Sequence, residues 1–141
     1  MTVSEYRKRS NRFVQNIDSH IATVIEHNEK LLQLNKGQLK ASKTSKGGAL
    51  INTKTGSAKY SPLYARKKGY SSPDLFVDGT FYREMDILFN EPKDYFITSH
   101  SKVTKYLVEM YTPDLFGIQN KTKAMAITTP ALTNLYKRLV L

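Results

Sequence analysis

The sequence predicts an α+β fold in which a long N-terminal helix and a C-terminal helix pack on a small, mostly antiparallel sheet. Apolar residues recur every three or four positions in the first part of the chain and again near its end, and they alternate with polar residues after Asp78-Gly79-Thr80. We expect one domain, with a helix over 1–35, a long basic loop or arm over 36–70, and the sheet plus C-terminal helix over 71–141.

The N-terminal helix is predicted to begin after Ser4 as its N-cap and to run to about Leu34. Its apolar stripe contains Phe13, Ile17, Ile21, Val24 or Ile25, and Leu31 or Leu32. A helix of about 30 residues would be about 45 Å long, more than a domain of this size needs for its own core. We therefore expect part of it to pack on a neighbouring subunit, unless it breaks near His27-Asn28. Gly37 is expected just beyond its end.

The basic arm concentrates the positive charge of a chain whose net charge is +10. Its nine basic residues are Lys36, Lys40, Lys43, Lys46, Lys54, Lys59, Arg66, Lys67 and Lys68, and it has no acidic residue. The other 13 basic and 12 acidic residues nearly cancel, which indicates a near-neutral body with one basic segment. Such a segment attracts polyanions without reading their sequence. Because it has little to bury, we expect it to be mobile in the isolated subunit and ordered in an assembly.

Two alternatives stay open for the end of the arm. Its tyrosines interleave with cations, as in surfaces that bind single-stranded nucleic acid. The stretch from Tyr64 to Lys68 could equally form a short helix whose rings anchor it to the core. A short ribbon of 49–51 with 58–60 could precede it. The residues predicted to contact a protein partner or nucleic acid are Lys43, Lys46, Lys54, Lys59, Tyr60, Tyr64, Arg66, Lys67 and Lys68.

A strand is predicted from Thr80 to Phe89, after a turn in which Gly79 supplies the positive φ. One face of this strand carries Phe81, Arg83, Met85, Ile87 and Phe89, and polar side chains dominate the other face. We expect the centre of the core to consist of Leu75, Phe76, Phe81 and Met85.

The stretches Tyr60–Gly69 and Leu75–Tyr82 carry a family resemblance. Tyr64-Ala65 with the following basic residues, and then Leu75-Phe-Val-Asp-Gly-Thr-Phe-Tyr82, resemble the tyrosine-alanine-basic-lysine and leucine-x-aspartate-threonine-glycine-x-leucine pattern of small tail-completion and head-tail connector proteins of tailed phages. The virion-morphogenesis type of minor tail protein is among these. The resemblance covers roughly Gln38 to the C-terminus, with Asp-Gly-Thr standing for Asp-Thr-Gly. It implies a homo-oligomeric ring that contacts other neck and tail proteins, and it brings no catalytic residues.

The remaining elements follow in order. They are a turn over 90–94, a second strand over 95–99, a helix over 102–111, a turn over 112–117, a third strand over 123–127 and a last helix. The helix over 102–111 rests partly on the resemblance, which implies a short helix after the strand. The last helix is predicted to start with Thr129 as N-cap and Pro130 at its first position.

Several kinds of chemistry find no support in the residues. The chain has no cysteine, so disulfides, thiol catalysis and thiolate metal sites are excluded. His20 and His27 lie too far apart along a helix to share an ion. The Lys- and Gly-containing tract lacks the frame of a phosphate-binding loop. No apolar run is long enough to cross a bilayer, and no signal segment opens the chain. We expect no metal, no cofactor and no membrane contact.

Acidic residues near the centre of the chain do not point to an enzyme. The carboxylates of Asp74, Asp78, Glu84 and Asp86 could serve a metal-dependent nuclease, with His100 as a base. Turns account for the first two, however, and a solvated strand face accounts for the others. The expected function is that of a structural virion protein of the phage neck or tail junction, assembled in the host cytoplasm. The alternative is a small basic DNA- or RNA-binding module, and nonspecific DNA contact is compatible with both.

Overall fold

The computed structural model describes residues 1–91, 94–111 and 113–141. Its helices are α1 (Val3–Gln15), α2 (Ile17–Ile25), α3 (Glu29–Lys40), α4 (Pro62–Lys68), α5 (Thr80–Arg83), α6 (Thr104–Tyr111) and α7 (Lys121–Val140). The strands β1 (Met85–Glu91) and β2 (Asp94–Ser99) form a two-stranded antiparallel sheet. The predicted α+β class, with helices at both ends of the chain and an antiparallel sheet, is confirmed.

The N-terminal segment that the sequence predicts as one helix forms three helices, α1, α2 and α3. Thr2, and not Ser4, is the N-cap of α1, because it forms a reciprocal capping box with Glu5. α2 and α3 meet at the predicted break, where His27 has a φ of +57° and the side chain of Asn28 caps α3.

The end of α3 corrects a second boundary. Gly37 was predicted to lie beyond the helix, yet α3 continues through it to Lys40. A glycine inside a helix costs about 1 kcal/mol relative to alanine. Asn35 and Leu39, on either side of this glycine, are fully buried. Their packing outweighs the local preference of glycine for ending the helix.

The sheet begins later than predicted. Gly79 has the expected positive φ of +84°, but Thr80–Arg83 form the short helix α5, and the strand starts only at Met85. From there the predicted alternation is confirmed, because Met85 and Ile87 are both buried. Ile87 lies opposite Ile97 in β2. The predicted turn over 90–94 includes residues 92 and 93, which lie outside the described residues.

One predicted core residue is wrong. Leu75, Phe81 and Met85 are buried as expected, whereas Phe76 is 49% exposed. The side chain of Asp74 accepts a hydrogen bond from the Phe76 amide at 3.1 Å and so forms a tight turn. Leu75 enters the core at this turn with a φ of +59°, and Phe76 is left on the outside.

The third strand predicted over 123–127 is also wrong. These residues lie in α7, which begins at Lys121 behind the Asn120 cap and contains Pro130 in its interior. Proline there lacks the amide that would bond the preceding turn. The helix persists because Ile127 packs on the main core and Leu135 lies in a second apolar cluster, so both sides of the proline are held.

The predicted start of the last helix, with Thr129 as N-cap and Pro130 at its first position, is wrong as well, because both residues lie inside α7. The second half of the chain otherwise follows the prediction. α6 lies within the helix predicted over 102–111. In the predicted turn over 112–117, residue 112 lies outside the described part of the chain, and Pro113–Leu115 form a turn of 3-10 helix.

Two apolar clusters hold the described chain together. The main core contains Leu31, Leu32, Leu39, Leu50, Leu75, Phe81, Tyr82, Met85, Ile87, Ile97, Leu107, Tyr111 and Leu115. The second cluster contains Phe13, Leu135 and Val140 and joins α1 to α7. We call this second cluster the helical seam.

The basic arm is partly built into the main core. The predicted ribbon of 49–51 with 58–60 is wrong, because Leu50 donates its amide to the carbonyl of Ser42, and Lys43 forms an isolated bridge with Ala49. The side chain of Leu50 is fully buried, which draws this stretch back onto the core. The mobility of the arm in an isolated subunit stays a prediction.

Candidate functional site: an aromatic cleft

The last part of the arm folds into α4. The hydroxyl of Ser61 caps its first turn, Pro62 takes the first helical position, and Gly69 ends it with a φ of +87°. Tyr64–Lys68 are therefore helical, as one alternative predicted, although the rings of Tyr64 and Tyr70 are each 43% exposed and are not buried in the core. Since Tyr64 and Lys68 are four residues apart, they lie on one face of α4, whereas Arg66 and Lys67 point elsewhere.

Lys68 lies in an aromatic cage. Its Nζ is 5.5 Å from the centroid of the Tyr70 ring, 5.8 Å from Tyr60 and 5.9 Å from Tyr64. It also donates a hydrogen bond of 2.6 Å to the carbonyl of Phe76, whose ring centroid is 6.0 Å away. The negative ring faces attract the ammonium group, and the Lys68 side chain is only 17% exposed.

The carboxylate of Asp74 completes the cage. Its carboxylate accepts hydrogen bonds from the hydroxyls of Tyr70 at 2.5 Å and Tyr60 at 3.2 Å, and lies 3.5 Å from the Lys68 Nζ. Burial opposes ionisation of this carboxyl. The Tyr70 and Phe76 hydrogen bonds and the lysine charge outweigh burial and lower the pKa of Asp74. The carboxylate thus stays ionised and fastens α4 to the 70–76 loop.

The charge of Lys68 is retained inside this cage. Burial acts to lower its pKa, but the hydrogen bond with Tyr70 and the charge of Asp74 outweigh burial and raise the pKa of Lys68. Burial raises the pKa of Tyr60, which stays a neutral hydrogen-bond donor. Lys68 and Tyr60 therefore interact with each other and with Asp74. They are poorly suited to bind a nucleic-acid base.

Beside the cage lies a cleft of about 370 Å³ between α4, the 73–77 segment and α6. Its aromatic walls are Tyr60, Tyr64, Phe76, Tyr106 and Tyr111, and its apolar residues are Pro73, Leu75, Val77, Leu107 and Met110. Apart from the tyrosines, the polar residues that line the cleft all belong to the 52–61 segment. A largely apolar concavity with a few polar groups at one edge is typical of a binding site.

Exposed apolar side chains surround this cleft. Val77 and Tyr106 are each 57% exposed, Phe76 is 49% exposed, and Leu63 on α4 is 78% exposed. Single exposed apolar residues need no explanation, but several at the rim of one cleft mark an interaction surface. We call Phe76, Val77 and Tyr106 the rim.

The predicted contact residues divide into two groups. Tyr60, Tyr64 and Lys68 come together in the cage and Lys59 lines the cleft. The exposed cations Lys43, Lys46, Lys54, Arg66 and Lys67 lie outside this constellation. Among them, the Lys46 Nζ lies 3.6 Å from a carboxylate oxygen of Asp114.

The sequence did not predict that α6 contributes to the walls of the cleft. Tyr106 and Met110 are four residues apart and Tyr111 follows, so one side of α6 faces the cleft. The available signal was the aromatic character of this helix. Its partner could not be identified, because the facing segment is about 30 residues away in the sequence.

Two of the three histidines, His20 and His27, have structural partners. His20 stacks on Phe13 with ring centroids 4.3 Å apart. The Nδ1 of His27 lies 2.7 Å from the carboxylate of Asp86, which connects the α2–α3 junction to β1. Within the described ranges, no three histidine or carboxylate side chains are grouped so that they could hold a metal ion.

Comparison with known proteins finds no relative of this chain. No protein family, no curated protein and no solved structure matches the chain. The resemblance to phage connectors therefore rests on the residues from Tyr60 to Tyr82 and stays a prediction. In the described part of the chain, no helix combines the length and the apolar character needed to cross a membrane.

Proposed function

We propose that this protein is a structural virion subunit of the phage neck or tail junction, which forms a homo-oligomeric ring between the head connector and the tail. Support comes from the position of the resembling residues. Tyr64 and Lys68 from the first stretch meet Phe76 from the second stretch in the aromatic cage. The pattern therefore corresponds to one physical unit, which supports one wall of the cleft.

The observation that carries this proposal is the aromatic cleft with its exposed rim. Burial of apolar surface contributes about 25 cal/mol per Å² removed from water. Tyrosine and phenylalanine bury large areas at low entropic cost, which is why such residues dominate the energetics of interfaces. A cleft of about 370 Å³ accommodates one or two apolar side chains of a neighbouring protein.

The cage gives this surface its rigidity. Because Lys68 and Asp74 are bound to each other and to the tyrosines, the walls at Tyr60 and Phe76 are held before any partner arrives. A preformed surface loses less conformational entropy on binding. We propose that a second copy or a neighbouring neck or tail protein inserts an apolar segment here, during assembly in the host cytoplasm.

Substitutions at the rim test this function. Val77→Glu and Tyr106→Glu place a charge on side chains that are more than half exposed, so folding should be unaffected. We expect native mass spectrometry over a range of protein concentrations to show oligomers of the parent protein and loss of these oligomers in the variants. Met125→Glu is a matched control, since Met125 on α7 is 64% exposed and does not line the cleft.

Two outcomes would contradict the proposal. One is a parent protein that stays monomeric at all concentrations and with virion extracts. The other is an equal loss of assembly in the Met125 control, which would indicate a general effect of added negative charge.

A stand-alone nucleic-acid-binding module is the second candidate. The exposure of Arg66 and Lys67 on α4 favours it, because both cations remain accessible to phosphates. The caged Lys68 does not belong to that surface. A test of the arm as a nucleic-acid contact should therefore change Arg66 and Lys67 and leave Lys68 in place.

A further inference from the structure

Positive charge outside the arm is unevenly distributed over the fold. α1 contains four basic residues and one acidic residue, and α7 contains four basic residues and no acidic one. All the rest of the chain outside the arm contains 5 basic and 11 acidic residues. The body is thus near-neutral only in sum, and its two terminal helices are strongly basic.

The fold brings these two helices together. The hydroxyls of Tyr6 and Tyr136 are 2.8 Å apart, and Phe13 packs edge-on against the Tyr136 ring. The last turn of α7, which contains Lys137 and Arg138, therefore lies alongside α1. Lys137 and Arg138 thus add exposed positive charge near α1, whereas Lys121 and Lys123 lie at the other end of α7.

A depression of about 190 Å³ opens between α1 and α7. Arg9 and Arg12 form one wall, and Leu139 faces them from α7. The floor is Phe13 with His20 stacked on it. Arg9 and Arg12 are both exposed and are three residues apart, so both guanidinium groups can reach one anionic group in the depression.

The one acidic residue of α1, Glu5, offsets only part of this charge: capping-box hydrogen bonds with Thr2 and, more weakly, the charge of Arg9 lower the pKa of Glu5. The carboxylate of Glu5 accepts the backbone amide of Thr2 at 2.7 Å and is held in the capping box at the start of the helix. The other three basic residues of α1 besides Arg9 are Arg7, Lys8 and Arg12, and they are all exposed. The surface keeps a clear excess of positive charge.

We propose that this α1–α7 surface binds the phosphate backbone of duplex nucleic acid. Arginine guanidinium groups bind phosphate oxygens in a bidentate manner, and Arg9 and Arg12, about one turn apart on α1, present two such groups to the regularly spaced phosphates of a duplex. An anionic membrane is the alternative that the experiment must separate, since Val3, Tyr6 and Val14 on α1 and Leu139 on α7 are exposed apolar side chains. The binding would be independent of base sequence, and it uses a surface that shares no residue with the aromatic cleft.

The experiment measures binding of a fluorescent 24-base-pair DNA duplex by anisotropy as a function of salt concentration. Each phosphate contact contributes about 0.9 to the slope of log affinity against log salt. We expect the double variant Arg9→Gln/Arg12→Gln to bind more weakly and to show a slope smaller by about two. Glutamine preserves helix propensity, and circular dichroism and the melting temperature check that α1 remains folded.

The matched control is Lys121→Gln/Lys123→Gln, which makes the same change in net charge at the opposite end of α7. It should leave affinity and slope nearly unchanged. An equal loss in both variants would overturn the proposal, since only the net charge would then matter. A parent protein that does not bind the duplex at low salt would also overturn it.

Two further results would reassign the surface. If Arg66→Gln/Lys67→Gln removes DNA binding while Arg9→Gln/Arg12→Gln does not, the contact belongs to the arm. If phosphatidylserine vesicles bind through Arg9 and Arg12 and compete fully with the duplex, the partner is an anionic membrane. Either result contradicts the proposed duplex site.

Discussion

The main core and the helical seam of this protein differ in the way they are built. The core collects side chains from α3, the arm, α5, both strands and α6, and several of them, including Leu39, Leu50 and Ile87, are fully buried. The seam has three buried side chains, Phe13, Leu135 and Val140, between two terminal helices. The core contains side chains from many segments, whereas the seam joins α1 to α7, with Ile17 and Val24 of α2 packed against it.

Polar contacts show the same difference. In the core, buried Asn35 donates to the carbonyl of Leu115 at 3.0 Å and accepts from the Gly117 amide at 3.1 Å. In the seam, the pair of hydroxyls from Tyr6 and Tyr136 is exposed. Buried hydrogen bonds of this kind specify one arrangement, because an unpaired polar atom there would be costly. We therefore expect the core to control global unfolding and the seam to open locally.

The largest effect is expected in the core. Phe81 is 1% exposed and packs against Tyr82 and Phe116. Phe81→Ala should lower the free energy of unfolding by about 3–5 kcal/mol, because it removes buried surface and leaves a cavity. Urea denaturation measures this loss. Phe96→Ala is the control, since Phe96 is exposed, and similar losses in both variants would contradict the assignment of Phe81 to the core.

A smaller and more local effect is expected in the seam. Leu135→Ala should lower stability by about 2 kcal/mol, the lower end of the range for a buried leucine, because its cluster contains only three buried side chains. Hydrogen exchange should accelerate at the amides of α1 while those of β1 and β2 change little. Equal acceleration in the sheet would show that seam and core unfold as one unit.

The smallest effect concerns His27, which lies between Val24 of α2, packed on the seam, and Leu31 of α3, in the core. The hydrogen bond to Asp86 raises the pKa of His27 above 6.5, against a weaker opposing effect of burial. A raised pKa contributes stability below the unfolded value, and this contribution is lost as pH rises through the folded pKa. The stability difference between the parent protein and His27→Asn should therefore shrink as the pH rises above 6.5. Asparagine tolerates the left-handed backbone at this position, so a difference that is constant with pH would indicate a packing effect.

Local rules predicted the elements whose signals were strong in their own segment. Gly79 has its predicted positive φ, Met85 and Ile87 alternate as a strand requires, and Tyr64–Lys68 are helical, as one of the two alternatives for that stretch had it. The same rules failed for Gly37 and for the third strand, which lies in α7. There, burial against distant segments outweighed the local preferences for ending or interrupting a helix.

At the candidate site, the sequence predicted which residues take part but not how they are arranged. Composition indicated that Tyr60, Tyr64 and Lys68 belong to one contact set with Arg66 and Lys67, but the structure brings together only the first three. Sequence could not decide whether Lys68 would face solvent or a cage. That depended on Asp74 and Phe76, which approach only when the 70–76 loop turns back on α4.

By itself the sequence determined the α+β class, the basic arm and the aromatic character of its last part, because composition and short-range periodicity act within a few residues. The tertiary structure decided the orientation of each charge and ring. It placed Tyr106 of α6 at the rim of the cleft and brought Arg9 and Arg12 to the end of α7. Electrostatic fields and apolar surfaces depend on distances in space, and these distances follow from packing between segments that are far apart in the chain.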